Sequence, residues 1–164
     1  MPQTERTSNL RILPLSDNEE AIPVLVSWFE NVWPDHYGPG GPGDAAADLR
    51  ECCTGDPLPF ALLALDGSGA PVGTAALKRE WLGSERHPGP WLAALLVAPA
   101  HRGAGVARAL VAAIEDAARY LGYVSLYAAM EADSDLLTRR SWRPVDRIAT
   151  DGGGATVYCL DLAV

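Results

Sequence analysis

The segment Val97–Leu110, VAPAHRGAGVARAL, is where this sequence offers chemistry. An apolar run ends at Val97, and Arg102-Gly103-Ala104-Gly105-Val106-Ala107 then opens a helical pattern. Glycine lets a ligand approach the backbone closely. The first turn of a helix offers unpaired N–H groups and the positive end of the helix dipole. Between Glu85 and Glu115 lie 29 residues without an Asp or Glu, where 21 acids in 164 residues would place about four. The same window carries Arg86, Arg102 and Arg108. The helix start therefore lacks the acids that ordinarily complement its dipole, and a bound anion would fill that role.

Two familiar phosphate-binding patterns fail on detail. No GxxxxGK[ST] string occurs, which excludes a P-loop. A dinucleotide fingerprint G-x-G-x-x-G/A read from Gly103 and Gly105 meets Arg108 at its sixth position, where close helix–strand packing needs a small residue. The acid expected about 20 residues further on is also missing, since nothing acidic stands between Asp116 and Glu131.

The elements that must position this loop can be read from periodicity. Leu10–Leu13 is a short strand. Ser16-Asp17-Asn18-Glu19-Glu20 reads as a helix start with cap residues and early acids, and Ile22, Val26, Phe29 and Trp33 would share one face of a helix ending before Pro34. Asp44 to Cys53 suggests a second helix opened by an Asp cap. Phe60–Leu65 and Val72–Leu77, joined by DGSGAP, form a hairpin signal. Trp91–Val97 is a continuous apolar run between Gly89-Pro90 and Pro99, as a strand buried on both faces would be. Gly105–Leu121 repeats apolar residues at three- and four-residue spacing, with Gly122 as its C-terminal cap. Val124–Met130 follows as a strand, Ser134–Arg140 as a short helix, and Val145–Thr150 and Thr156–Leu162 flank DGGGA as a closing hairpin. The order βααβββαβαββ implies an α/β (α+β) fold with a mixed sheet.

Length and composition bound the rest. A chain of 164 residues, 48% hydrophobic, reads as one domain, 1–164, with a core of its own. Thirteen basic against 21 acidic residues give a net charge of −8, which argues against nucleic acid as a partner; the acidity suits solubility and would also suit a cationic substrate. No apolar run reaches the length of a membrane span, and MPQTERTSNL has no signal-peptide core, so a cytoplasmic protein is expected. Cys52, Cys53 and Cys159 make no disulfide framework. With His36, His87 and His101 scattered, no metal site is expected.

The loop resembles the pyrophosphate loop of the GNAT N-acetyltransferases, whose signature [Q/R]-x-x-G-x-[G/A] is met by Arg102, Gly105 and Ala107. The context V-x-P-x-x-R-G-x-G between a buried strand and a long helix is similar too, as is the tail DLLTRRSWRPVDR. The resemblance covers roughly residues 60–162. It implies a mixed, mostly antiparallel sheet flanked by helices, with acetyl-CoA in a cleft between two splayed central parallel strands, here Trp91–Val97 and Val124–Met130. Main-chain groups of Leu95, Leu96 and Val97 would pair with pantetheine, and those of Gly103, Ala104, Gly105, Val106, Ala107 and Arg108, beside Arg102, would hold the pyrophosphate. An N–H at or beside Val97 would meet the oxyanion. The reaction implied is direct attack of a primary amine on the thioester, after a base has taken its proton.

The sequence departs from the family where proton transfer is usually placed. The usual Tyr of the short helix is Leu137 here, Ser141 replaces the usual Gly, and WLAALLV carries no Glu. Tyr127 or Ser134 could replace the acid. Glu80, ending the preceding strand, is the nearest carboxylate, with His87 as another option for the base. The resemblance places acceptor recognition in the first helices, where Trp28, Trp33, Asp35, His36 and Tyr37 could surround a cationic amine, though the tryptophans also suit a core. The acceptor would be a small molecule or a peptide amine, with no nucleic acid or membrane as partner, and the resemblance is compatible with a homodimer. A non-catalytic acyl-CoA-binding sensor, or transfer of a longer acyl group, are the alternatives.

Overall fold

The computed structural model describes residues 9–150 and 153–163. Strand β1 (Arg11–Pro14) leads through two 3-10 turns (Leu15–Asp17 and Glu19–Ala21) into helix α1 (Ile22–Val32), the one-turn helix α2 (Pro34–Tyr37) and helix α3 (Ala45–Thr54). Strands β2 (Phe60–Leu65), β3 (Pro71–Lys78) and β4 (Trp91–Val97) follow, then helix α4 (Val106–Tyr120), strand β5 (Ser125–Met130), helix α5 (Asp135–Arg139), and strands β6 (Arg143–Ile148) and β7 (Ala155–Asp161).

Two prolines account for the differences from the expected order. Regular helix starts at Ile22, not at Ser16, because Pro23 has no N–H to donate and fits only a first turn; Asp17, Glu19 and Glu20 fall in the 3-10 turns before it. Helix α1 stops at Val32 as Pro34 requires, but Pro34 then opens a separate turn, α2, which carries His36 and Tyr37. The Asp44 cap of α3 is as expected, its carboxylate accepting the Ala47 N–H at 3.0 Å. Leu121 and Gly122 close α4: Gly122 takes φ +89°, and the Tyr123 N–H reaches back to the Ala118 carbonyl at 3.1 Å.

The strands form one sheet in the order β1-β2-β3-β4-β5-β7-β6. Every neighbouring pair is antiparallel except the central one, β4 with β5. The Asp66 carboxylate fixes the β2–β3 turn, accepting the Ser68 and Ala70 N–H groups and the Ser68 hydroxyl. In the β6–β7 hairpin Asp151 and Gly152 lie outside the described residues, as do residues 1–8, which include most of the decapeptide read above as lacking a signal sequence. No helix among the described residues is long and apolar enough to cross a membrane.

Each face of the sheet buries its own layer. Leu110, Val111, Ile114 and Ala118 of α4 pack with Val72, Leu92, Leu126, Ala128 and Leu160. On the opposite face, Leu25 and Phe29 of α1 and Leu49 and Cys52 of α3 pack with Ala61, Leu63, Ala76 and Leu96. Gly73 lets α4 approach: a Cβ there would lie 2.9 Å from Val106 Cγ1 and 3.0 Å from Leu110 Cδ1. That contact presses the first turn of α4 against β3, next to the C-terminal end of β4, since Gly73 pairs with Val97.

A buried ionic group joins α4 to α5 and β6. Glu115, 3% exposed, accepts from Arg140 Nε and Nη2 at 2.9 and 2.8 Å and from the Trp142 indole N–H at 3.0 Å. The guanidinium reaches solvent on its other side; the carboxylate does not. The two partners should therefore respond unequally to loss of the other. Arg140→Met, which leaves a charge buried, is expected to cost about 3–5 kcal/mol in urea denaturation. Glu115→Gln, which leaves the arginine access to water, should cost about 1–3 kcal/mol. The reverse order would show that the guanidinium is the group the fold must compensate.

Candidate functional site

The central strands touch at one point. Trp91 and Tyr127 are the one registered pair between β4 and β5, with the Tyr127 N–H donating to the Pro90 carbonyl at 3.0 Å. Beyond it the strands part. The cause lies in β4: Thr74 pairs with Leu96 and Ala76 with Ala93, so the single residue Ala75 faces both Ala94 and Leu95. This is a β-bulge, and Ala94 holds it in a left-handed conformation at φ +53°. A bulge increases local twist and turns the C-terminal half of β4 away from β5. Ala94 and Leu95 are left without a ladder partner among the described residues on either side.

A cavity of about 810 Å³ lies beside the C-terminal part of β4, beyond the point of divergence. Leu95, Leu96 and Val97 line it from β4; Arg102, Gly103, Gly105, Val106, Ala107 and Arg108 from the loop and first turn of α4; Leu136, Arg139, Arg140 and Ser141 from α5 and its end. Nine of the ten residues expected at a cofactor thus share one wall, and Ala104 sits in the loop between two of them. Val32 and His101 complete it.

The loop has the features of an anion cradle. Gly103 and Gly105 adopt φ +82° and +83°, and a Cβ on either would meet nothing within 4 Å, so the backbone is open to the cavity side. Gly105 occupies the N-cap of α4, which has no side-chain cap and no acid in its first turn. Arg102 ties the loop to its strand, Nε donating to the Val97 carbonyl at 3.3 Å. Among the described residues no carboxylate lines the cavity, while Arg102, Arg108, Arg139 and Arg140 do. In a chain of net charge −8 this is a local field of the opposite sign, suited to phosphates. A long, slender molecule with an anionic end and an extended amide chain fits: the arginines and free N–H groups suit the anion, and the open edge of β4 suits the amides.

The expected proton-transfer residues stand elsewhere. Tyr127 is at the point of divergence, its ring 5.4 Å from Trp91 and 5.2 Å from His87, and burial, with Cys159 beside it, raises its pKa. Ser134 caps α5, its hydroxyl accepting the Leu137 N–H at 3.2 Å. Leu137 itself is fully buried. Glu80 lies exposed just beyond β3, and neither it nor Tyr127 nor His87 is among the residues that line the cavity.

The aromatic residues of the first helices form one cluster. Phe29 packs edge-on to Trp33 at 5.2 Å and beside Tyr37 at 5.4 Å, and Trp28, Trp33 and Tyr37 pad the core under α1 and α3. The Tyr37 hydroxyl donates to Asp48 at 2.7 Å, and burial first, then that carboxylate, raises its pKa. His36 is exposed, its ring 4.5 Å from Tyr37. Of this segment only Val32 reaches the cavity. The sequence placed Arg139 and Arg140 at the end of a short helix and not in the site; only the packing of α5 beside the cavity brings them to its wall.

Comparison with known proteins fits this geometry. No curated protein sequence matches the chain. Among solved structures it resembles an aminoglycoside 6'-acetyltransferase type Ii, at TM-score 0.73 and 17% identity over 93% of this chain and 97% of that one. It also resembles a GCN5-related N-acetyltransferase from Kribbella flavida, at TM-score 0.74 and 20% identity over 94% and 99%. A third is an aminoglycoside 6'-N-acetyltransferase complexed with coenzyme A, at TM-score 0.70 and 16% identity over 93% and 97%. Identities this low speak for the fold, and the fold agrees: a mixed sheet opened between its central parallel strands. The model of the acetyltransferase (GNAT) family matches residues 25–140, which span the divergence, the Gly103–Arg108 loop and α5. With that match over more than two thirds of its length, the chain belongs to the GNAT acetyltransferase family, whose acyl donor is acetyl-CoA.

Proposed function

We propose that the chain, acting as one domain over residues 1–164, transfers the acetyl group of acetyl-CoA directly to a primary amine of a small molecule or peptide. The observation that carries this reading is the coincidence of two features: the open edge of β4 at Ala94–Leu95, and the acid-free cradle at Gly103–Arg108 at the far end of the same cavity. The first suits an extended amide chain, the second a pyrophosphate. When bound, acetyl-CoA supplies an activated acyl carbon and a thiolate leaving group.

The chain's own groups do the rest. Backbone N–H groups of Gly105–Arg108 and the Arg102 and Arg108 guanidiniums hold the anion. Leu95–Val97 orient the pantetheine, and an N–H in that stretch stabilises the developing oxyanion. Tyr127 is our candidate proton donor to the departing thiolate, since a phenol carries its proton at neutral pH and this one stands where the central strands part. The aromatic cluster of Trp28, Trp33, His36 and Tyr37 is our candidate for shaping the acceptor side, with exposed His36 its most accessible member. A homodimer and a cytoplasmic setting are part of the same proposal.

Binding can be read without an acceptor. Acetyl-CoA at 100 times its Kd should stabilise the fold by about 2.7 kcal/mol. For a chain of this size that raises Tm by roughly 5–10 °C. No shift together with no calorimetric binding would falsify the reading. An acceptor screen that follows free CoA thiol, over alkyl diamines, aminoglycosides, amino acids and lysine peptides, then separates an enzyme from a non-catalytic sensor.

Gly105→Glu tests the cradle itself. Because a Cβ at Gly105 meets nothing, the fold should survive at a cost of about 1–2 kcal/mol for the left-handed backbone. The carboxylate would stand where the phosphates belong, so CoA binding should be lost while far-UV circular dichroism stays as in wild type. Normal binding by the variant would place the phosphates elsewhere.

A further inference from the structure

The segment between β3 and β4, residues 79–90, folds over the point where the central strands separate. His87 lies in it with its side chain 19% exposed. Its Nε2 stands 2.9 Å from Asp146 Oδ2 on β6, and its ring rests on Tyr127 at a centroid distance of 5.2 Å. Asp146 is also gripped by Arg86, whose Nη1 lies 3.1 Å from both carboxylate oxygens, and by the Arg147 N–H at 2.8 Å. Leu126 and Ala128 belong to the layer under α4, so alternation turns Tyr127, and His87 with it, to the opposite face of the sheet. A chain laid against the open edge of β4 from Val97 inward runs towards this vertex.

We propose that His87 is the base that receives the proton of the acceptor ammonium, and that Asp146 is the residue that positions it. This rests on the acetyltransferase reading above and deepens it. The Asp146 carboxylate fixes the ring proton on Nε2 and leaves Nδ1, which has no partner among the described residues, as the acceptor. The contact with His87, followed by the Arg147 N–H and Arg86, holds the Asp146 carboxyl down at about 2, so it is anionic throughout the neutral range. The charged and titratable groups around the ring are Asp146 from β6, Arg86 from its own loop and Tyr127 from β5, with Cys159 and Arg143 acting on Tyr127 from behind.

The protons balance. An ammonium acceptor gives up one proton to Nδ1 of His87, which returns it to water. Its nitrogen then bonds to the acyl carbon while the carbon–sulfur bond breaks. The second proton, shed as the amide forms, replaces the one Tyr127 gives the leaving sulfur. Base and acid are thus two rings in contact at the vertex.

The test compares His87→Gln, Asp146→Asn and Glu80→Gln with wild type. Turnover is measured with the best amine of the panel above, or as acetyl-CoA hydrolysis if none turns over, and acetyl-CoA affinity is measured by calorimetry. His87→Gln should lower kcat by about 10²–10⁴-fold with acetyl-CoA Kd within twofold of wild type. Asp146→Asn removes the anion that holds the ring proton on Nε2, so it should lower kcat with acetyl-CoA Kd unchanged, and Asp146→Glu, which restores a carboxylate, should recover part of that loss, a rescue that a merely structural role would not give. His87→Gln within threefold of wild type overturns the proposal, as does a loss carried by Glu80→Gln instead. If His87→Gln does not fold, Asp146→Asn decides: kcat within threefold of wild type overturns it. Wild type that binds no acetyl-CoA and releases no thiol fails the underlying reading, whereas wild type that turns over with His87→Gln unimpaired fails this inference alone.

Discussion

One extra residue in β4 sets the geometry of the whole centre. Ala94 in a left-handed conformation, opposite no partner of its own, turns the strand out of the plane it shares with β5. Such a conformation costs an alanine roughly 1–2 kcal/mol, which the surrounding ladder with β3 must offset. Without the bulge, two parallel apolar strands would pair along their full length and close the sheet. With it, pairing stops at Trp91 and Tyr127, and the main-chain groups beyond face an 810 Å³ cavity instead of each other.

The electrostatics follow from what stands at the mouth of that opening. Helix α4 is pressed against β3 through Gly73, so its N-terminus is delivered to the end of β4 with little freedom to move. Its first turn carries no acid, and the buried acid of this helix, Glu115, is about two and a half turns along and already engaged by Arg140 and Trp142. The positive end of α4 is thus left for a ligand. Arg140 has a double position, with two nitrogens on Glu115 and its residue on the cavity wall, so the network that holds α5 to α4 also holds a cation at the cleft.

The parts of this arrangement visible in the sequence are the local ones. The glycines at 103 and 105, the acid-free window and the long amphipathic pattern of α4 each depend on neighbours in the chain, and each was readable. So were the β2–β3 hairpin, the Asp44 cap and the buried first half of β4, whereas the second half, expected to be buried as well, is partly open at Ala94, Leu95 and Val97. The bulge at Ala94 was not, because alanine gives no signal for a left-handed backbone; it is imposed by registry with β3. The pairing of His87 with Asp146, 59 residues apart, was invisible for the same reason, although His87 itself stood out as an ionisable group near β4. The aromatic residues of α1 and α2 were legible as types, but whether an indole faces a core or a ligand is decided by tertiary packing. Trp28 and Trp33 pad the layer under α1.

The opened sheet also has a consequence for how the protein avoids other chains. Two strands that part expose two rows of unpaired N–H and C=O groups, and such rows are the templates on which strands from neighbouring molecules add and aggregate. Here those rows belong to the centre of the sheet, not to its rim. Beside the β4 row the cavity is walled by α5 and the start of α4, and the two strands close on each other at Trp91 and Tyr127. A single extended chain with an anionic terminus matches both the open edge of β4 and the arginines at the cavity wall. The most adhesive backbone in the molecule is thereby reserved for one shape of guest.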